Sequence, residues 1–135
     1  MKALALAALL TLPAGVAAAA AVPTPVSMPA GAALSNKWRL EFSGAAESAG
    51  ELVFDVTDTG GAAFRVRVAI EGNDGENRVS SKTRRALAKA LPFGWRVERD
   101  DGEDVLVKRR WFHPRFEIAV VRSTVEGVRI NFDRE

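Results

Sequence analysis

One segment of the sequence combines cations with aromatic rings: KRRWFHPR, from Lys108 to Arg115. Cations attract anionic groups, and Trp and Phe rings stack on bases or sugars or enter a lipid interface. The segment therefore predicts a surface that holds single-stranded nucleic acid, an anionic glycan or a lipid headgroup. Its candidate ligand-binding residues are Lys108, Arg109, Arg110, Trp111, Phe112, His113 and Arg115. A second interpretation is that Trp111 and Phe112 fold back under a sheet edge and join the core.

A second group of cations recurs at helical spacing. These residues, separated by four, three and four positions, are Arg78, Lys82, Arg85 and Lys89. On a helix this spacing forms one basic stripe, with Arg84 beside it. The stripe predicts either a secondary site for phosphate groups or a solvated face opposite an apolar one.

The residue types that usually perform catalysis are scarce. The chain has one histidine, His113, and neither cysteine nor tyrosine. No Asp or Ser lies near His113 at the spacing of a known catalytic family, and we expect no catalytic residue and no enzyme. We also expect no metal and no cofactor: the acidic run at Asp100, Asp101, Glu103 and Asp104 lacks the spacing of a calcium loop and predicts a solvated hairpin tip.

The formal net charge is only +2, but charge is unevenly distributed. The stretch 41–76 holds eight acidic residues and two arginines, whereas 78–115 holds eleven basic residues and five acidic ones. This asymmetry indicates a surface for an anionic partner, or a pairing of one copy of the chain with the next.

The first 21 residues have the pattern of a cleavable secretory signal peptide: Lys2, a run of Leu and Ala, then small residues. Residues 22–36 hold three prolines and no charge, which predicts a flexible leader. Residues 37–135 are long enough for a single domain with one core. We expect a soluble bacterial protein, periplasmic or secreted, without a lipid anchor on cysteine.

Within 37–135, alternating apolar residues predict strands and one segment shows helical periodicity. The alternation is clear at 37–43, 51–57, 62–71, 95–110, 116–121 and 128–135, with turns at 58–61 and 100–102. The segment 78–92 predicts a helix that is capped by Asn73, Asp74 or Asn77 and that Pro92 stops. The strands predict three hairpins: 51–71 before the helix, and 95–110 and 116–135 after it.

These elements predict an α+β fold in the order β-β-β-α-β-β-β-β. We expect a mainly antiparallel curved sheet of six to seven strands, with one helix packed on one face.

The arrangement of residues 50–110 resembles the hook-associated IN repeat of flagellar proteins and similar insertions in phage tail-sheath proteins. The resemblance rests on GELVFDV, a turn, FRVRVAI, a helix that ends in ALAKAL, and WRVERDDGEDVLVKRR. It implies a β-hairpin, a helix and a second hairpin in a structural, surface-displayed module without catalysis. It carries no functional residue over to this chain.

Three functions stay open at this level. The first is an exported, non-enzymatic binding module whose basic and aromatic loop contacts an anionic polymer, an anionic surface or another exported protein. The second is a structural component that self-associates through its oppositely charged regions or its strand edges. The third, an enzyme or enzyme inhibitor, would need a pocket with a perturbed carboxylate beside His113.

Overall fold

The computed structural model describes residues 34–135. The predicted signal peptide, residues 1–21, and the predicted leader up to residue 33 lie outside the described residues. The described chain forms the elements in the predicted order, and it is sheet-rich α+β. The elements are β1 Lys37–Ser43, β2 Gly50–Asp58, β3 Ala63–Ile70, α1 Glu76–Ala90, β4 Trp95–Asp100, β5 Asp104–Arg109, β6 Phe116–Ser123 and β7 Arg129–Arg134.

The strands form two antiparallel sheets, so the expected single curved sheet is wrong. One sheet has the order β4-β5-β1-β7 and the other has the order β3-β2-β6. The physical reason is that β1 does not pair with β2, its neighbour in sequence. Instead, Leu40 of β1 lies opposite Val105 of β5 on one side and opposite Phe132 of β7 on the other.

Two of the three predicted hairpins are present. In the first, Phe54 of β2 lies opposite Val66 of β3, and in the second, Val97 of β4 lies opposite Val107 of β5. Both hairpins have turn residues that define a short connection, with Gly102 at a φ of 76° in the second.

The third predicted hairpin, between β6 and β7, is wrong. Ile118 of β6 lies opposite Val56 of β2, whereas Ile130 of β7 lies opposite Phe42 of β1 in the other sheet. The connection between β6 and β7 therefore crosses from one sheet to the other, and it buries Val125 as it does so. Alternation followed by a turn is the same pattern whether the next strand folds back or crosses over.

Helix α1 begins after Gly75, whose N-cap position has no side-chain hydrogen bond, so none of the three predicted caps is used. Asp74 instead accepts a hydrogen bond of 3.0 Å from the backbone N–H of Glu71. The helix ends before Pro92, as predicted. It packs against β3 of one sheet and against β4, β5 and β1 of the other, so it contacts both sheets and not one face of a single sheet.

One hydrophobic core is shared by both sheets and the helix, because the inward rows of the strands face one another. The indole Nε1 of Trp38 donates a hydrogen bond of 2.9 Å to the backbone oxygen of Phe116, which satisfies the polar atom of a buried ring. The fully buried side chains include Leu40, Phe42, Leu52, Phe54, Val56, Val79, Leu87, Val105, Val107, Phe116 and Ile118.

Candidate binding surface

The segment 108–115 links β5 in one sheet to β6 in the other. A turn closes within it, since the backbone N–H of His113 donates a hydrogen bond of 2.9 Å to the oxygen of Arg110. The preceding segment also reaches this point. Ser35 exchanges backbone hydrogen bonds of 3.0 and 2.8 Å with Phe116, and the N–H of Arg109 donates to the oxygen of Asn36 at 2.8 Å.

Two cations of the segment form ion pairs within the domain. Lys108 Nζ lies 2.7 Å from Oε2 of Glu98 on the neighbouring strand β4. Arg109 Nη1 donates hydrogen bonds to Oδ2 of Asp58 at 2.7 Å and to the backbone oxygen of Pro114 at 3.2 Å. Both side chains therefore already have an acidic partner within the domain.

The ion pair between Arg109 and Asp58 is buried, with side-chain exposures of 12% and 3%. The guanidinium also lies over the ring of Trp95, 4.3 Å from the centroid, which is a cation–π contact. Burial by itself would raise the pKa of Asp58, but hydrogen bonds from the backbone of Ala62 and from Arg109 outweigh it and lower that pKa below the ordinary value.

The two aromatic residues at the tip of the segment point outward. The side chain of Trp111 is 84% exposed and that of Phe112 is 60% exposed, so they do not fold back under a sheet edge. Their rings pack edge to face with centroids 5.7 Å apart, and the ring of Phe112 lies 4.7 Å from that of His113. Arg110 and Arg115 are exposed beside them, and neither forms a salt bridge within residues 34–135.

A third exposed aromatic residue, Phe93, was missed at the sequence level. Its side chain is 97% exposed in the short connection between α1 and β4. This connection adjoins the 108–115 segment, because a Cβ on Gly94 would lie 3.4 Å from Nε2 of His113. The available signal was the position of Phe93 between Pro92, which stops the helix, and Gly94, which turns the chain at a φ of 96°.

A shallow depression of about 450 Å³ lies beside Trp111. Leu34, Ser35, Asn36 and Arg115 line it with Trp111, and the side chain of Leu34 is exposed. The lining of the depression is mostly polar, and Leu34 adds one exposed apolar side chain next to the loop. We define the aromatic end as the six residues Leu34, Phe93, Arg110, Trp111, Phe112 and Arg115.

The basic stripe of α1 is divided in the structure. Lys82 Nζ lies 2.5 Å from Oδ2 of buried Asp74, while Arg78, Lys82 and Arg85 line a groove of about 470 Å³. Lys89 does not line this groove. Arg99, which the sequence did not single out, reaches it from β4.

The acidic hairpin tip contacts a cation of the protein itself. Arg39 Nη1 lies 2.9 Å from Asp100 and 3.1 Å from Asp104. Across the described range 34–135, three or more His, Asp or Glu residues are nowhere grouped as metal ligands would be. Across the same range, no helix has the length and apolar character needed to span a bilayer.

No protein-family model matches this chain, and a search of curated proteins gives no match either. The resemblance of residues 50–110 to the hook-associated repeat therefore stays a prediction.

Proposed function

We propose that this protein is an exported, non-enzymatic binding module that attaches to an anionic lipid surface through its aromatic end. The observation that carries the proposal is the outward orientation of Phe93, Trp111 and Phe112 on two adjacent connections. Large aromatic side chains are usually buried, and a group of them at one end of a domain marks an interaction site.

The composition of the aromatic end favours a bilayer. Trp and Phe enter the headgroup region of a membrane, and burying such a side chain contributes roughly 1.5–3 kcal/mol. Arg110 and Arg115 flank the rings, and a cation near an anionic bilayer adds about 1 kcal/mol. Two of the sequence-predicted cations, Lys108 and Arg109, are excluded from this role by their ion pairs with Glu98 and Asp58.

A nucleic-acid site is less well supported by the same residues. Binding of a single strand needs a positively charged groove that follows the phosphates and ring faces that are open to bases. Here His113 lies against the ring of Phe112, and Lys108 and Arg109 are paired with Glu98 and Asp58, which leaves Arg110 and Arg115 as the cations of the segment without a salt bridge within residues 34–135. Heparin and single-stranded DNA therefore serve as alternative probes in the test.

Assembly through oppositely charged regions is not favoured by the geometry. Five of the eight carboxylates of 41–76 are paired within one copy of the chain: Asp55 with Arg65, Glu51 with Arg67, Asp58 with Arg109, and both Asp74 and Glu71 with Lys82. Charges that are already paired leave little attraction between copies. Pairing of strand edges stays open as an outcome of a measurement of oligomeric state.

The test measures how the chain from Val22 onward binds to vesicles, with tryptophan fluorescence as the readout. Of the three tryptophans, Trp38 is buried and Trp95 is half-buried against the core, whereas Trp111 is exposed, so Trp111 should dominate the change on transfer to lipid. We expect saturable binding to vesicles that contain phosphatidylglycerol, weaker binding at higher salt, and none to pure phosphatidylcholine vesicles at physiological salt. The double variant Trp111→Ala, Phe112→Ala should lose at least about tenfold in affinity, measured by vesicle sedimentation.

The matched controls separate local from global charge. Arg110→Ala with Arg115→Ala removes two cations of the aromatic end, and Arg122→Ala with Arg129→Ala removes two exposed cations elsewhere. The first pair should weaken vesicle binding and the second should leave it nearly unchanged. Equal loss in both pairs, or binding to heparin or DNA with none to vesicles, would contradict the lipid proposal.

A further inference from the structure

The groove on α1 joins cations from two elements that are distant in sequence. Arg78, Lys82 and Arg85 come from consecutive turns of the helix, and Arg99 comes from the far end of β4. Helix α1 packs against β4, which is why the strand delivers Arg99 to the helix surface. Asn77 and Ser81 add an amide and a hydroxyl to the same lining.

One of the four cations is neutralised by a buried acid. Asp74 is almost fully buried and contacts Lys82 Nζ at 2.5 Å, and Glu71 lies 3.6 Å from the same amine. The hydrogen bond from Lys82 lowers the pKa of Asp74, so this carboxylate stays ionised and the pair is internally balanced. Lys82 is therefore a fixed part of the groove wall, and the recognition of a ligand falls to the arginines.

The three guanidinium groups keep most of their charge for solvent. Arg78 is 69% exposed and its Nε is 3.9 Å from Asp74, at the outer limit of an ion pair. Arg99 Nη2 donates a hydrogen bond of 2.6 Å to the backbone oxygen of Gly102, a neutral partner that fixes the group without cancelling its charge. No acidic side chain of residues 34–135 forms a salt bridge with Arg85 or Arg99.

We propose that this groove is a second binding site, specific for a small molecule that carries clustered phosphate groups. Guanidinium groups offer forked donors that match phosphate oxygens in pairs, and three of them suit a ligand with several negative charges. The groove is open to solvent and its lining is mostly polar, which suits a highly charged ligand. Asn77 and Ser81 would donate to the remaining phosphate oxygens.

The groove is independent of the aromatic end. Strand β4 begins at Trp95, near the aromatic end, and finishes at Asp100, next to Arg99. The four steps from Trp95 to Arg99 along an extended strand span about 13 Å. A variant in one site therefore leaves the residues of the other in place, and the two proposals fail separately.

Isothermal titration of the purified protein with inorganic tripolyphosphate tests the groove. We expect saturable binding that weakens with salt, and a loss of about tenfold in affinity for each of Arg78→Ala, Arg85→Ala and Arg99→Ala. The matched control is Arg84→Ala, which removes the same charge from the same helix at a position outside the groove. It should bind tripolyphosphate almost as the parent protein does, and all four variants should bind vesicles unchanged.

Three results would overturn the proposal. The first is the absence of saturable heat with tripolyphosphate at low salt. The second is an equal loss in Arg84→Ala and Arg85→Ala, which would indicate general attraction to a basic surface. The third is binding of heparin without binding of tripolyphosphate, which would indicate an extended polyanion. Circular dichroism of each variant establishes that a lost affinity is not lost folding.

Discussion

The guanidinium of Arg109 donates a 2.7 Å hydrogen bond to the carboxylate of Asp58, and this buried ion pair joins the two sheets. Arg109 ends β5 in one sheet and Asp58 ends β2 in the other. The same guanidinium holds the backbone oxygen of Pro114, so the exposed turn between them is fixed at both sides. Arg109, which the sequence predicts as a ligand-binding residue, thus positions the exposed residues of the turn instead.

Removal of the Arg109 charge should destabilise the fold strongly. In Arg109→Met the carboxylate of Asp58 is left buried without its cation, and we expect the free energy of unfolding to fall by about 3 kcal/mol or more. Arg110→Met, at the exposed neighbouring position, should change it by no more than about 0.5 kcal/mol. Urea denaturation of both variants measures the difference, and similar values for the two would contradict a structural role of Arg109.

Replacement of both partners gives a sharper measurement. The double variant Asp58→Leu, Arg109→Met leaves no unpaired buried charge, so much of the stability lost in Arg109→Met should return. A double variant that is less stable than Arg109→Met would mean that the other contacts of the two side chains, with Ala62, Pro114 and Trp95, dominate.

Stability should decline in acid because several carboxyl groups have a pKa below their ordinary value. The pKa of Asp74 is lowered by its hydrogen bond with Lys82. The pKa of Asp58 is lowered by hydrogen bonds whose effect outweighs that of its burial. A carboxyl whose pKa is lower in the folded chain than in the unfolded chain stabilises the fold at any pH above its unfolded-state pKa. This contribution is lost as the pH falls through the folded-state pKa. The temperature of thermal unfolding should therefore change little from pH 7 to 5 and fall steeply below about pH 4.

Asp58→Asn isolates one of these groups. At pH 7 the variant should be clearly less stable than the parent protein, because it loses the charge that pairs with Arg109. As the pH falls through the folded-state pKa of Asp58, the parent carboxyl also becomes protonated, so the difference in unfolding temperature should shrink. A difference that is constant across this pH range would show that Asp58 does not carry the acid sensitivity.

Phe93 should matter for binding and not for stability. Its side chain is 97% exposed, and Phe93→Ser should change the free energy of unfolding by no more than about 0.5 kcal/mol. By contrast, Phe54→Ala in the core should cost about 3–5 kcal/mol. Vesicle binding of Phe93→Ser should weaken; unchanged binding would remove Phe93 from the aromatic end.

Gly44 and Gly61 form a matched pair of turn positions. Both have positive φ, at 79° and 92°, where a Cβ costs about 1–2 kcal/mol. A Cβ on Gly44 would in addition overlap the carbonyl oxygen of Gly127, whereas a Cβ on Gly61 has nothing within 4 Å. Gly44→Ala should therefore be clearly more destabilising than Gly61→Ala in urea denaturation; equal costs would mean that the 124–128 connection moves aside freely.

Local patterns predicted the local structure of this chain. Alternation defined β1 at Lys37–Ser43, and turn residues identified the β2–β3 and β4–β5 hairpins. The helical periodicity of the apolar residues and the stop at Pro92 identified the helix. These predictions hold because strand period, turn conformation and helix termination depend on residues that are adjacent in sequence.

Long-range pairing was decided only by the tertiary structure. Which strand lies beside β1, the crossing from β6 to β7, and the division into two sheets depend on how inward rows from distant segments close one core. The same holds for the surfaces. KRRWFHPR contains the residue types of a contact surface, but Arg109 is buried against Asp58 and Lys108 is paired with Glu98. Packing brings Phe93 beside the segment and Arg99 to the helix. Residue types are written in the sequence, whereas exposure and partners are set by packing between distant segments.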